Sequence, residues 1–305
     1  MMRPSLHARR GFTIVEIITA LTIISIIGLA MTKLILGQTR SFQYDNGARR
    51  ARTAARSAMN IMITDLRMIQ DTTGGVTALD ATNNRRIDVR VPVVFGFVCE
   101  KNAGNVVVSL VPTDSFQRAS SKYGGYAVRD SVTGVYTYVT AASSDSIRST
   151  GAGRCSAAGV NIFADTISVS GRAGGVFLMS PGPPGITGVG SPMFVWHTVT
   201  YEFKASGIYA GRYGLFRTVR GLSNTDTTSD ELVAPFKSTA RFSYYTKSPY
   251  TTSDVPTTTA PGSLNNLRGF QIYLPAESSD TMPTRNTPQS ATTTTAVFFK
   301  NTRLP

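Results

Sequence analysis

The pattern of apolar and polar positions changes abruptly after residue 11. Residues 12–31 are apolar or small apart from a few hydroxyl side chains, and Glu16 is the only charged residue among them. As an α-helix rising about 1.5 Å per residue, this run would be roughly 30 Å long, which is the thickness of a bilayer's hydrocarbon core. Because basic residues precede the run and hardly any follow it at once, the positive-inside rule predicts that residues 1–11 are cytoplasmic and the remainder lies outside.

An amphipathic pattern follows the apolar run without a proline to interrupt it. No proline occurs between Gly11 and Pro92, and the chain up to residue 70 is rich in good helix formers. We therefore predict one helix over residues 12 to about 70, weakened at Gly37 and Gly47 and ended by the TTGG sequence at residues 72–75. Its second half should pack on a globular domain through apolar residues at helical spacing, namely Ala48, Ala51, Ala55, Met59, Met62, Leu66 and Ile69.

From residue 85 onward the pattern consists of short β-rich runs separated by turn residues. The candidate strands are IDVRVPVVFGFVC, NVVVSLV, GVYTYVT, IFADTISVS, MFVWHTVTYEF, YGLFRTVR, RFSYY, GFQIYL and AVFFK. Strands and helices do not alternate, so the fold class we expect is α+β, a long helix on a mostly antiparallel sheet. Three segments rich in Gly, Pro, Ser or Thr, residues 180–192, 251–262 and 278–295, are predicted as loops.

The formal net charge of the 305-residue chain is +13, which favours anionic partners but bears on association and not on fold. Three arginines precede the apolar run, so removal of residues 1–11 would take the charge from +13 to +10. Arg49, Arg52 and Arg56 share one face of the predicted helix. We interpret that face as solvated or as a contact between subunits, and we disfavour nucleic acid as its partner.

Candidate chemistry for an enzyme is sparse. His197 is the one histidine beyond the first eleven residues, and its position in VWHTVTYEF predicts a partly buried strand residue. Cys99 and Cys155 are 56 positions apart and make a poor zinc site, although in an exported domain they could form one disulfide. The sequence has no G-x-S-x-G motif, and no pair of carboxylates stands out as acid and base. We expect no catalytic site, no metal and no cofactor.

The residues Gly11-Phe12-Thr13-Ile14-Val15-Glu16-Ile17 resemble the N-terminal processing motif of type IV pilins and type II secretion pseudopilins. The resemblance implies that a membrane prepilin peptidase cuts between Gly11 and Phe12 and methylates the new amine of Phe12, and that Glu16 is kept for assembly. A carboxylate in a membrane helix costs several kcal/mol and is by default functional. We therefore expect Glu16 to neutralise the Phe12 amine of a neighbouring subunit, which would set the axial register of the two helices.

The polar or small residues of the apolar run recur at every third position and therefore wind round the helix. A fibre core, in which a helix is contacted from several sides, suits this pattern better than a dimer seam. The residues concerned are Thr13, Glu16, Thr19, Thr22, Ser25 and Gly28.

The late strands, including residues 268–274 and 297–301, are similar to those of W-type minor pilins and J-type pseudopilins, although Gly269 and Lys300 depart from the usual residues. The resemblance implies a cleaved cytoplasmic leader (residues 1–11), a transmembrane half (12–31) and an extramembrane half (32–71) of the helix, and a β-rich domain (72–305). It also implies a subunit that primes or caps a type IV pilus or type II pseudopilus. Such a subunit would cross the bacterial inner membrane once before joining the fibre. A membrane-tethered adhesin or DNA-binding module at a fibre tip, and an anchored envelope enzyme, remain as alternatives.

Overall fold

The structure is a computed structural model. It describes residues 13–69, 74–102, 105–110, 123–129, 134–140, 148–149, 176–179, 190–221, 227–246, 255–281 and 287–299, and for residues 99–102, 105–110, 148–149 and 176–179 it describes the backbone alone.

One long helix, α1, runs from Ile14 to Met68 without a break. Its 55 residues make it about 80 Å long. The prediction of a single helix is confirmed, and Gly37 and Gly47 both lie within regular α-helix. The helix ends at Met68, and the backbone of its C-cap residue, Ile69, is extended.

Thirteen strands form one sheet in the described part of the chain, and every pairing is antiparallel. The strands are β1 Val76–Leu79, β2 Arg86–Asn102, β3 Asn105–Leu110, β4 Gly125–Arg129, β5 Tyr136–Thr140, β6 Arg148–Ser149, β7 Val176–Met179, β8 Pro192–Ala205, β9 Tyr213–Arg220, β10 Thr227–Phe236, β11 Arg241–Thr246, β12 Leu267–Thr281 and β13 Pro288–Phe298. The order β11-β12-β10-β9-β8-β2-β3-β7-β6 forms the main path. Strand β13 pairs with the opposite edge of β12, β1 pairs with β2, and β4 joins β5 to β8. The α+β prediction is confirmed.

Most predicted strands are present, but one predicted loop is wrong. Residues 278–281 belong to β12 and residues 288–295 to β13, so the Thr-rich segment is largely strand. Threonine is β-branched and suits a pleated surface, and pairing with the apolar β12 outweighs its frequency in loops. The described part of the second predicted loop, residues 255–262, forms a single bridge between Thr257 and Tyr244. The candidate strand IFADTISVS lies outside the described residues.

The core lies between the second half of α1 and the sheet. Ala51, Ala55, Met62, Leu66 and Ile69 are buried as the spacing predicts. Ala58 joins them, while Ala48 and Met59 are half-buried. Alternate residues of the strands face this stripe, and the large buried side chains opposite it include Tyr201, Phe203, Phe236, Phe242, Phe270 and Leu274. The three alanines let the helix approach the sheet closely, which leaves room for the aromatic rings.

Candidate functional site

The first turn of α1 is closed by a reciprocal cap. Thr13 is the N-cap residue, and its hydroxyl oxygen accepts a hydrogen bond from the Glu16 amide at 3.3 Å. In return, Oε2 of Glu16 accepts from the Thr13 amide at 2.9 Å and from the Thr13 hydroxyl at 3.1 Å. The pattern T-x-x-E is the sequence signature of this capping box. The cap places the carboxylate at the positive end of the helix dipole, where negative charge is favourable.

The capping box also holds the Glu16 carboxylate against the main chain of Thr13. Gly11 and Phe12 lie outside the described residues, so the cleavage and methylation predictions remain untested. The Thr13 nitrogen that donates to Glu16 is bonded to the carbonyl carbon of residue 12, so the carboxylate lies one residue away from the expected new amine. The expected ion pair to a neighbouring subunit would therefore have to form beside an existing intrachain cap.

Hydroxyl side chains along the first half of α1 are bonded to their own helix. Each donates to a main-chain carbonyl three or four residues earlier at 2.7–3.0 Å, and the donors are Thr19, Thr22, Ser25, Thr32 and Thr39. A hydroxyl bonded in this way has no need of water or of a partner helix. The third-position pattern therefore leaves the helix compatible with an apolar environment on every side, a consequence that residue spacing alone does not reveal.

The β-rich domain does not cover the apolar half of α1. The most apolar 18-residue window of the helix has a mean hydropathy of 2.4, and none of its residues is buried. Ile24 and Ile26, for example, are 64% and 69% exposed. In the described part of the chain α1 is the one helix long and apolar enough to cross a membrane. An exposed apolar surface of this extent needs lipid or other apolar helices around it.

Where α1 reaches the sheet, a partly buried ionic cluster joins it to strands β8 and β9. Asp65 Oδ2 accepts from the Tyr201 hydroxyl at 2.6 Å and from Nη2 of Arg217 at 2.9 Å. Burial and then the Asp65 carboxylate raise the pKa of Tyr201 well above its usual range. Burial alone would lower the pKa of Arg217, but Asp65 and Tyr201 outweigh it and raise the pKa. Sequence analysis missed this cluster, because its members are far apart in the chain.

A further ion pair and an open groove lie near the start of the packed half of the helix. Arg50 Nη1 lies 2.5 Å from Asp280 Oδ2 on β12, with both side chains largely exposed. Arg49 and Arg50 line one wall of a groove of about 740 Å³, and Tyr209 and Glu231 line the other. Within the described residues, the exposed side chains of Arg49, Arg52 and Arg56 form no ion pair, in keeping with the predicted solvated or intersubunit face.

The other candidate residues do not form a site. Cys155 lies outside the described residues, and for Cys99 only the β2 backbone is described, so the disulfide remains a prediction. His197 is half-buried in β8, as expected. No group of three or more His, Cys, Asp or Glu side chains that could hold a metal occurs in the part of the chain that the structure describes.

Comparison with known families identifies one region. Residues 6–32 match the prokaryotic N-terminal methylation motif, which covers Gly11, Phe12, Thr13 and Glu16. Comparisons with curated proteins and with solved structures found no match. The motif implies processing by a prepilin peptidase and assembly with pilin subunits, and proteins that carry it are typically structural and not catalytic. Together with the exposed apolar half of α1, the match supports membership of the type IV pilin and pseudopilin family and a membrane-anchored chain.

Proposed function

We propose that this protein is a minor pilin or pseudopilin, a structural subunit that primes or caps a type IV pilus or a type II secretion pseudopilus. It would be cut between Gly11 and Phe12 and methylated at Phe12 before assembly. The late strands are similar to those of W-type minor pilins and of J-type pseudopilins alike, and the length of the chain favours the W-type minor pilin. No observation favours the adhesin or DNA-binding alternative.

The observation that carries the proposal is that the β-rich domain leaves the apolar half of α1 exposed. In a soluble protein an apolar window of this kind would be buried in the core, but here none of it is buried. A bilayer can cover it before assembly, and like helices of neighbouring subunits can cover it afterwards. The internally bonded hydroxyls of Thr19, Thr22 and Ser25 suit both environments.

Glu16 would set the axial position that a subunit takes when it moves from the membrane into the fibre. In the separate subunit its carboxylate is bonded to Thr13 and the helix dipole favours its charge. Cleavage adds a positive amine at residue 12. In a bundle of helices an unpaired amine would be heavily penalised, so a subunit is stable only at the axial position where its amine meets the Glu16 carboxylate of a neighbour.

The proposed function also sets the orientation of the chain in the membrane. Residues 1–11 would form the cytoplasmic leader, residues 12–31 the transmembrane half of α1, residues 32–71 its extramembrane half and residues 72–305 the domain outside the cytoplasm. The inner membrane, prepilin peptidase and other pilin or pseudopilin subunits would be the partners.

Mass spectrometry of the mature N-terminus tests the proposal. The protein purified from cells that contain a prepilin peptidase should begin at Phe12 and carry one additional methyl group, because the motif directs both steps. The same chain from cells that lack the peptidase should retain residues 1–11 and serves as the control. An intact Met1 in both samples, or a cut after Met31, would contradict the proposal.

A further inference from the structure

Strand β13 forms an edge of the sheet with its outer side open. Its inner side pairs with β12 in continuous register from Gly269↔Phe298 to Glu277↔Ser290. The Phe299 amide donates to the Arg268 carbonyl at 3.0 Å, which identifies the odd-numbered residues as the hydrogen-bonded positions, since bonded and non-bonded pairs alternate in an antiparallel ladder. The even-numbered residues therefore point their amides and carbonyls away from the sheet.

Five consecutive even positions make up this open edge, which we call the β13 edge: Ser290, Thr292, Thr294, Ala296 and Phe298. Together they present five amides and five carbonyls over a length of about 27 Å. Among the residues that the structure describes, none bonds to these main-chain groups. All five residues are exposed, so a second polypeptide could reach the edge.

The β13 edge lacks the features by which proteins protect open strands. An edge is normally blocked by charges, prolines, bulges, a short length or a covering segment. Strand β13 has no charged residue in eleven, its one proline stands at the first position, and its register is regular from Ser290 to Phe298. A long, uncharged and regular edge of this kind is a template for another strand.

The other open edges of the described sheet are protected. Strands β1, β5 and β6 have two to five residues each. Strand β10 carries Asp230, Glu231, shifts of register and Pro235. On the outer side of β11 the Phe242 amide donates to the Asn84 carbonyl, and Tyr244 and Thr257 exchange main-chain hydrogen bonds. Among the described strands, no second edge therefore matches the length and neutrality of β13.

Antiparallel pairing between two copies of β13 conflicts with the membrane anchor. An antiparallel pair of identical strands has its two-fold axis perpendicular to the sheet. Because α1 lies on the face of the sheet, that axis would point the two helices in opposite directions. Two copies anchored in one membrane must instead extend from it in the same direction.

We propose that the β13 edge binds an extended, uncharged strand of a different protein by β-strand addition. The incoming strand has about nine residues and pairs with the five outward amides and carbonyls. It places an apolar side chain beside Phe298, which is 44% exposed and whose ring centroid lies 4.7 Å from that of Tyr245. The inference rests on the membrane anchor and not on incorporation into a fibre.

Residue-level hydrogen exchange of the full chain tests this assignment. The purified protein, dilute in detergent micelles, is compared with the same protein in membranes isolated from the cells that make it. In micelles the amides of Thr292, Thr294 and Ala296 should exchange rapidly, while those of Thr293 and Thr295 are protected by β12. In membranes the even-numbered amides should exchange at least about tenfold more slowly, because the added strand bonds them.

A charged variant separates strand addition from general shielding by the membrane. Thr294→Lys puts a charge on the edge, and its amide is not used by the sheet, so the fold should remain intact while the added protection of Thr292 and Ala296 disappears. Thr239→Lys makes the same change in the exposed turn before β11 and should retain the protection.

Three outcomes would overturn the proposal. Even-numbered amides that exchange equally fast in both samples would exclude a bound strand. Protection that appears in micelles and fades on dilution would indicate pairing between copies. Protection retained in Thr294→Lys would mean that the membrane shields the edge without pairing. None of these results depends on the mass of the N-terminus, so the proposed function is judged separately.

Discussion

At the residue scale, Glu16 has two roles that can be separated. It caps its own helix through Thr13, and we propose that it also neutralises an amine on a neighbouring subunit. Glutamine can replace glutamate in a capping box but carries no charge. Thr13→Val removes the capping hydroxyl, at a cost of about 1 kcal/mol to the helix, and leaves the charge of Glu16 in place.

We expect Glu16→Gln to be processed like the wild type and to be missing from sheared fibres, because the Phe12 amine would lack its counter-ion. Thr13→Val should still enter the fibres. Mass spectrometry of the N-terminus reports processing, and immunoblots of the sheared fraction report incorporation. Equal incorporation of Glu16→Gln and the wild type would show that assembly does not require the charge of Glu16.

Tyr244 offers a stability test in the β-rich domain. Its side chain is fully buried, and burial followed by the nearby Asp80 raises its pKa to about 12. The unfolded chain ionises this tyrosine near pH 10, so above that pH ionisation favours the unfolded state, and stability is lost as the pH rises towards 12. Its hydroxyl makes only a long hydrogen bond, 3.4 Å, to the Asp80 carbonyl.

Tyr244→Phe should therefore change stability by less than about 1 kcal/mol at pH 8, since it removes one weak hydrogen bond. At pH 11 the variant should lose about 1 kcal/mol less than the wild type does, because it cannot ionise. Denaturant unfolding of the micelle-solubilised chain at the two pH values measures both quantities. If the wild type and the variant lose the same free energy of unfolding between pH 8 and pH 11, groups other than Tyr244 cause the alkaline sensitivity.

Gly269 shows how one residue can depart from a family pattern for a local reason. A Cβ at this position would collide with the Val297 carbonyl and lie 3.0 Å from Cα of Phe298. The absence of a side chain lets the rings of Tyr245 and Phe298, on the two strands beside β12, meet across it. Gly269 therefore helps to position Phe298 on the β13 edge.

At the scale of elements, sequence patterns predicted what depends on periodicity. The helix, its buried stripe and the apolar strands β2, β8, β9 and β12 follow from spacing, because each has one face or its whole length in the core. The N-terminal motif also needed no structure, since its residues are contiguous. The apolar composition of residues 12–31 was enough to predict that this half of α1 is a membrane-spanning helix.

What the sequence did not predict depends on pairing between distant segments. Residues 288–295 of β13 read as a polar loop until their threonines are seen opposite the apolar residues of β12. The cluster of Asp65, Tyr201 and Arg217 unites three elements, and no local pattern links its members. The β13 edge likewise becomes visible only when the neighbours of every other edge are known.

At the scale of the whole molecule, one helix serves two environments. Its second half is part of the core of the β-rich domain, while its first half is exposed and, in the proposed function, contacts lipid or other subunits. The stability of the domain should therefore respond to substitutions in one half alone. Trp196, the single tryptophan of the chain, is buried in β8 and reports unfolding of the domain by its fluorescence.

Leu66→Ala and Ile24→Ala form a matched pair for this division. Leu66 is fully buried against the sheet, so its truncation should lower the free energy of unfolding by about 2–5 kcal/mol. Ile24 is 64% exposed, and its truncation should change the same quantity by less than about 0.5 kcal/mol. Denaturant titrations in micelles, followed by Trp196 fluorescence, compare the two. A loss in Ile24→Ala as large as that in Leu66→Ala would mean that the apolar half packs on the domain in solution, and would remove the main support for its role between subunits.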